Sequence, residues 1–281
     1  MTTIRTDVRC LLCGPVSHRG ALGGALRECS SCGLRWTAGQ LPPPAELYDE
    51  AYFTGAGYPD YFDGPQRRFE SARRLRWLTS VARPATLVDA GCAGGFFVAA
   101  ARAAGIDAAG VEVSAAAARY AGETLRIPVR HGTFEAVAPA LPPVDAVTAF
   151  HVLEHVEDPR AFLDAARSVL VPGGWLALEV PNAAAAAASR LGAGWPGWDL
   201  RHHRWHFAPE TLGALLAERG FRVVGHDTVF SRFYWRAPAR WAHARELFLA
   251  DLVATGSARV AHPRRGDLLR LFARRYDGAA A

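Results

Sequence analysis

The stretch Asp89-Ala90-Gly91-Cys92-Ala93-Gly94-Gly95-Phe96-Phe97 constrains this chain more than any other. It follows an apolar run, Thr86-Leu87-Val88, that reads as a strand. It precedes Val98-Ala99-Ala100-Ala101-Arg102, which reads as a helix. A strand, a glycine-rich turn and a helix make a ligand-binding corner. Glycines let the backbone approach a ligand, and the first turn of a helix offers unpaired N–H groups. No Lys follows the glycines, so a phosphate-gripping loop is not expected. The corner opens on an acid, Asp89, which repels a pyrophosphate and suits a cation. A second acid, Glu112, closes the next apolar run, where it is placed to accept hydrogen bonds from a ribose. Two acids around one glycine turn point to a nucleoside that carries a positive charge.

The surrounding pattern fits such a corner. Strands are predicted at 86–90, 107–113, 127–131, 144–149 and 174–180, alternating with helical stretches, and a helix over 66–82 precedes them. That alternation implies parallel βαβ units in a doubly wound α/β sheet. Ligands bind such sheets outside the carboxyl ends of the strands, where Asp89, Glu112, Thr133 and Phe150–His151 fall. At 281 residues, half of them hydrophobic, the chain is long enough for one large domain and a small appendage.

Asp-x-Gly-x-x-x-Gly, here Asp89 to Gly95, followed by an acid after the second strand, resembles the class I S-adenosylmethionine-dependent methyltransferases. Further segments are similar in the same order. Val144 to Pro159 resembles the family's fourth strand and the segment after it. Leu170 to Leu176 resembles the turn into its fifth strand, and Phe207 to Phe221 its last large helix. Phe221–Val229 then reads as a sixth strand, and Gly266–Arg274 resembles the family's antiparallel seventh.

The resemblance implies a mostly parallel seven-stranded, Rossmann-like sheet in a domain over 66–281. It implies S-adenosylmethionine as cofactor, held by Asp89, Gly91, Ala93, Gly95, Glu112, Val113, Thr133, Phe134 and Phe150. Ala93 stands where the family usually has Gly, which implies altered affinity and not lost binding. The insertion 231–265 carries Phe233, Tyr234, Trp235, Trp241 and Phe248. In the family an aromatic insertion here commonly forms a substrate lid; a dimerisation surface or plain core are the alternatives.

Four of the five cysteines form two pairs, Cys10-x-x-Cys13 and Cys29-x-x-Cys32, with fifteen residues between them. Gly14 and Gly33 trail the pairs, as a tight metal knuckle requires. Four thiolates close a tetrahedral zinc site with no open position, so a structural zinc is expected within a ribbon module over 1–38. Such a short segment cannot build a core alone, so the metal would supply folding energy. Residues 39–65 begin with a stiff Pro42-Pro43-Pro44 linker and continue as an aromatic-rich stretch. It reads equally as packing between module and domain or as a flap over the cofactor. Cys92 reads as a small residue packed under the cofactor.

Methyl transfer to oxygen or an activated carbon needs a base, and His suits that task near neutral pH. Two histidine groups compete. His151-Val152-Leu153-Glu154-His155 has the letters of a metalloprotease motif but lies where non-metallic family members carry Glu-His. A structural His155 and a cofactor- or substrate-contacting His151 are expected. Whether His151, Glu154 and His155 hold a metal stays open. The second group is Arg201-His202-His203-Arg204-Trp205-His206-Phe207. In related small-molecule methyltransferases a His three residues before such a His-Phe pair faces the acceptor, which implies His203. The resemblance thus implies His203 as the acid–base residue, with His151 nearby and no catalytic metal. Leu200 and His202 depart from the sugar C-methylating members, which carry Tyr and Glu there.

The net charge of +5 invites a nucleic-acid partner, but all 32 basic residues are Arg and they are scattered. The expected acceptor is a small molecule, a sugar or natural-product intermediate. The alternative is an RNA methyltransferase whose zinc module grips the substrate. A non-enzymatic binding module is disfavoured by intact Asp89 and Glu112. No secretory leader and no membrane span are expected, which suggests the cytoplasm. The oligomeric state is left open.

Overall fold

The computed structural model describes residues 9–48, 52–53, 62, 65–231 and 266–277. The cysteine-bearing segment folds into short antiparallel pieces: β1 (Arg9–Cys10), β2 (Gly14–Pro15), β3 (His18–Ala21), β4 (Leu26–Cys29) and β5 (Arg35–Thr37). The apolar runs that follow form β6 (Thr86–Ala90), β7 (Asp107–Glu112), β8 (Val129–His131), β9 (Val144–Phe150) and β10 (Leu170–Pro181). The chain continues with β11 (Trp205–His206), β12 (Phe221–Val229) and β13 (Leu268–Arg275).

The main sheet has seven strands in the order β12-β13-β10-β9-β6-β7-β8. Neighbours from β10 to β8 are parallel, while β13 runs antiparallel to both β10 and β12. This is the doubly wound, Rossmann-like sheet that the alternation implies. The chain runs outward through β6, β7 and β8, then returns to place β9 on the other flank of β6. Strand order therefore reverses between β6 and β9, and the crevice outside their carboxyl ends is where such sheets bind ligands.

The predicted helix over 66–82 forms as Pro65–Val81. Helix starts are chemically marked. The Ser114 hydroxyl caps Ala115–Glu123, and the Asp158 carboxylate accepts from Arg160 N and Ala161 N ahead of Pro159–Val169. These caps fix where the chain leaves β7 and β9, and so fix the loops that carry the site.

β11 is the element that sequence patterning did not reveal. It is two residues long and pairs with β5, Trp205 against Trp36 and His206 against Arg35. The ribbon sheet is thus β11-β5-β4-β3, with its last strand donated from far along the chain. Packing agrees: Cys10, Leu11, Cys29, Leu34 and Trp36 belong to the same buried cluster as Val147, Leu153, Phe162 and Leu212. The ribbon shares the core of the main sheet.

The aromatic stretch is described only at Tyr48, Tyr52, Phe53 and Phe62. Phe62 stacks on Tyr120, and Phe53 stacks on Phe62. The proposed lid, 231–265, lies outside the described residues apart from Ser231. Among the described residues no helix is long and apolar enough to cross a membrane.

Candidate active site

The turn after β6 is built by close approach. Gly91 has φ +71°, and a Cβ there would fall 2.5 Å from Val152 Cγ2. Gly95 has φ +79°, and its Cβ would collide with Ile127 Cδ1. Both positions need glycine for conformation and for room. The Gly91 contact matters most, because it seats the loop after β9 directly on the loop after β6.

The two acids are anchored around this turn. Thr148 Oγ1 donates to Asp89 Oδ1 at 2.6 Å, across the β6–β9 pairing. Glu112 accepts from Ala93 N at 2.7 Å with one oxygen and from Ser114 N at 2.8 Å with the other. With Val113 as a third backbone donor, the Glu112 carboxylate still keeps acceptor capacity for a ligand hydroxyl. Burial pushes the Asp89 carboxyl up to about 7, against the Thr148 hydrogen bond and the Arg74 charge. Burial also raises Glu112, against its backbone hydrogen bonds. A bound cation would relieve both acids, which is the donor chemistry a sulfonium nucleoside requires. Beyond Glu112 lies a cavity of about 280 Å³ lined in part by Tyr48, Val113, Ser114, Arg119 and His131.

The loop after β9 carries a dense polar group. His151 has φ +59°, unusual for a residue with a side chain. Ala93, at φ +48°, and Asp199, at φ +30°, share that region of backbone space. Such strain, about 1–3 kcal/mol each, collects where a ligand or cluster demands it. His151 Nδ1 is 3.1 Å from Glu154 Oε1, and its Nε2 is 3.4 Å from Glu179 Oε1. Burial works to lower this imidazole, but the two carboxylates prevail and raise it to about 9.

Behind His151, the ligand atoms of Glu154, His155 and His203 all lie within 4.8 Å of one another. Burial lowers His155 to about 4 and lowers His203, outweighing the Glu154 carboxylate, so both rings are neutral. Backbone bonds from Arg204 N and Trp205 N to Glu154 O tie the segment before β11 to this loop. The ribbon adds a further tie. Thr37 Oγ1 donates to His203 O at 2.5 Å and accepts from His206 Nε2 at 3.0 Å.

A family model described as a methyltransferase domain matches residues 65–226, more than half of the chain and all of this corner. The protein belongs to that methyltransferase family. It is an S-adenosylmethionine-dependent methyltransferase. A ubiquinone biosynthesis O-methyltransferase of Xanthomonas campestris pv. campestris (strain B100) is 36% identical over 203 residues, covering 66% of this chain and 84% of the relative. A SAM-dependent methyltransferase from Archaeoglobus fulgidus has a similar structure, with TM-score 0.54 at 20% identity over 77% of this chain and 97% of the other. So does magnesium protoporphyrin IX methyltransferase from Synechocystis PCC 6803, solved with bound SAH, with TM-score 0.54 at 17% identity over 80% and 96%.

Within the methyltransferase, the structure gathers Asp89, Gly91, Ala93, Gly95 and Glu112 around one turn, with Val113 on the cavity wall beyond. It does not bring every expected side chain there. The Thr133 hydroxyl caps the short helix Phe134–Val137. Phe134 points into the main core against Phe162. Phe150 packs among Trp77 and Phe97, with the Arg74 guanidinium over its ring. The rings of these two expected cofactor-shell residues pack away from the turn. Both are large apolar groups at element ends whose nearest open face is core. Cys92 is buried and packs against Gly110.

His203, the expected base, sits in an enclosed position. It is only 6% exposed, its Nδ1 is bound to Gly197 O at 3.1 Å, and burial makes it a weaker proton acceptor. Glu179 and Tyr48 were missed. Glu179 is fully buried between Arg74, Arg270 and His151. A lone acid inside the apolar run Leu176–Val180 was the available signal. Tyr48 places its hydroxyl 2.5 Å from His155 Nδ1 and also lines the cavity. Nothing in its sequence context singled it out from the other tyrosines nearby.

The four ribbon thiols are free of disulfides and lie within 4.8 Å of one another, with Cys10 Sγ 3.6 Å from Cys32 Sγ. A tetrahedron with Zn–S of about 2.3 Å has S···S edges of about 3.8 Å. The cluster therefore fits zinc in size and in ligand type.

Proposed function

We propose that this enzyme methylates an oxygen-bearing small molecule, a sugar or natural-product intermediate, with His151 at the acceptor and a structural zinc on Cys10, Cys13, Cys29 and Cys32. The observation that carries this is the seating of Val152 on Gly91 at the strand-order reversal. It sets His151 beside the turn that would hold the cofactor. S-adenosylmethionine supplies an electrophilic methyl group on a sulfonium. Asp89 and Glu112 bind and orient its cationic and hydroxyl groups, and the glycine turn admits it without steric conflict. His151 has 29% of its side chain exposed, where His203 is enclosed, so it is the histidine of the pair able to meet an acceptor; kept protonated by Glu154 and Glu179, it would position the acceptor and not deprotonate it. Glu154 orients the ring from Nδ1. Most of the acceleration comes from aligning the acceptor with the methyl group in a site screened from water.

A small molecule is favoured over RNA because three arginines on the ribbon side are paired within the fold. Arg19 and Arg35 bind Glu28, and Arg204 binds the carbonyls of Leu41 and Pro42. The name of the Xanthomonas relative also points to an O-methylated small molecule. The test is calorimetry with S-adenosylmethionine, followed by transfer of a labelled methyl group to panels of hydroxylated aromatics, sugars and RNA. Transfer to RNA alone would overturn the reading.

A further inference from the structure

Glu154, His155 and His203 come from two distant segments, yet their ligand atoms converge within 4.8 Å. The two rings cross edge to face at 4.7 Å between centroids. Their hydrogen bonds assign their tautomers. His203 Nδ1 lies 3.1 Å from Gly197 O, and His155 Nδ1 lies 3.1 Å from His202 O. A carbonyl only accepts, so each Nδ1 carries the proton and each Nε2 keeps its lone pair. The Tyr48 hydroxyl also lies 2.5 Å from His155 Nδ1. His155 Nε2 faces Glu154 Oε1 at 3.7 Å, too long for a hydrogen bond.

Glu154 is 1% exposed, and its Oε2 has no hydrogen-bond partner. A buried carboxylate oxygen without a donor carries a desolvation cost that proteins rarely leave unanswered. Two imidazoles and one anionic carboxylate thus bring ligand atoms within 4.8 Å of one another in a buried place. The outward nitrogen of each ring is held by a backbone carbonyl, the arrangement that orients histidines ligating a metal.

We infer that Glu154, His155 and His203 form a second metal site, for a divalent first-row transition ion held by two imidazole nitrogens and one carboxylate. Three protein donors leave the ion at least one open position, as sites that bind an exchangeable ligand do. Tyr48 touches His155 and also lines the 280 Å³ cavity beyond Glu112, so the site adjoins the space a ligand would enter. Resting on the methyl-transfer reading, the open position is where an acceptor oxygen would bind. Hard and borderline donors in this set suit zinc, manganese, iron or cobalt ions, in contrast to the all-sulfur ribbon. The ribbon steadies the site through the bond from Thr37 to the His203 carbonyl.

The test uses the full chain with its ribbon loaded with zinc, titrated with cobalt(II). A second equivalent should bind with weak visible bands and without the intense sulfur-to-cobalt absorption of a thiolate site. Glu154→Gln and His203→Gln should each weaken that second equivalent roughly 100-fold or more, with ribbon zinc retained. Tyr48→Phe should weaken it by roughly 10-fold. If the folded wild-type chain takes up no second ion from cobalt, zinc, manganese or iron(II) salts, the inference is overturned, whatever the variants do. A second ion that binds equally well in both ligand variants overturns it too. Cofactor affinity measured on the same samples separates the outcomes. Intact S-adenosylmethionine binding without a second ion removes the metal site and leaves the methyltransferase reading standing.

Discussion

Two clusters of metal-ligating type lie among the described residues, and they differ in almost every respect. Cys10, Cys13, Cys29 and Cys32 come from the ends of β1 and β4 and the turns that follow them, are chemically uniform and match the four donors of a closed tetrahedral site. Glu154, His155 and His203 are mixed, come from the loop after β9 and the segment before β11, and offer three donors in place of four. A closed sulfur set holds a fold together. An open nitrogen–oxygen set beside a cavity does chemistry or positions a substrate. The difference teaches that closeness of ligands is a poor guide to role, and that completeness of the coordination set is a better one. The two are also connected, because the strand that follows His203 is the ribbon's fourth strand.

The largest expected effect separates the clusters by stability. Cys29→Ser with Cys32→Ser should abolish ribbon zinc and cost more than about 4 kcal/mol in chemical denaturation, because a structural metal and its buried neighbours go together. Glu154→Gln should cost far less. Equal losses in the two would erase the distinction.

The next effect is on turnover. His151→Ala should slow methyl transfer by about 100-fold with cofactor affinity nearly unchanged. A matching loss of S-adenosylmethionine binding would move His151 into the cofactor shell. Glu112→Ala should do the reverse, weakening the cofactor by about 1–3 kcal/mol in calorimetry while both clusters keep their metal content.

Asp89 gives a pH test that touches neither cluster. Its folded carboxyl titrates near 7, in the company of Arg74, Glu112 and Thr148, and a cationic ligand favours its charged form. Binding of S-adenosylmethionine should therefore release a proton below pH 7, and affinity should fall up to about tenfold per unit as pH drops. Above 7 it should be flat. Without ligand the sign for stability is opposite to that of a salt-bridged acid. The raised carboxyl disfavours the fold increasingly from about pH 4 to 7. Calorimetry in buffers of different ionisation enthalpy reads the proton, and Asp89→Asn should remove the dependence.

The smallest effect tests the connection. Thr37→Val removes a hydroxyl bound to the His203 carbonyl and the His206 ring, and should cost about 1–2 kcal/mol of stability. If the clusters are coupled, cobalt affinity at Glu154, His155 and His203 should also fall. An unchanged affinity would make them independent.

Much of the frame was legible because its signals are local. Apolar runs such as Thr86–Ala90 and Val144–Phe150, the Asp89–Gly95 turn and the paired cysteines each declare themselves within a few residues. What was illegible depends on distance. β11 has two residues and no alternation, and its partner lies far upstream. Phe134 and Phe150 sit at strand and loop ends like true pocket residues, and only packing against Phe162 or Trp77 shows where their rings go. The surroundings of His203 were hidden for the same reason. Letter order placed it near the acceptor, but the carbonyl of Gly197 and the neighbouring Glu154 and His155 enclose its ring.

The donated strand β11 also has a consequence in time. Thr37 and His206 are 169 residues apart. At about 5–20 residues per second, a ribosome would take on the order of ten seconds or more to supply β11 after β5 emerges. Through that interval the nascent ribbon presents β5 as an open edge, the kind of surface that recruits stray strands. The thiol knuckles, complete by Cys32, can capture their ion at once and hold the hairpins in register while the edge waits. Early metal loading would then protect the newborn chain, and zinc scarcity during synthesis should lower the yield of properly folded enzyme more than zinc withdrawal afterwards.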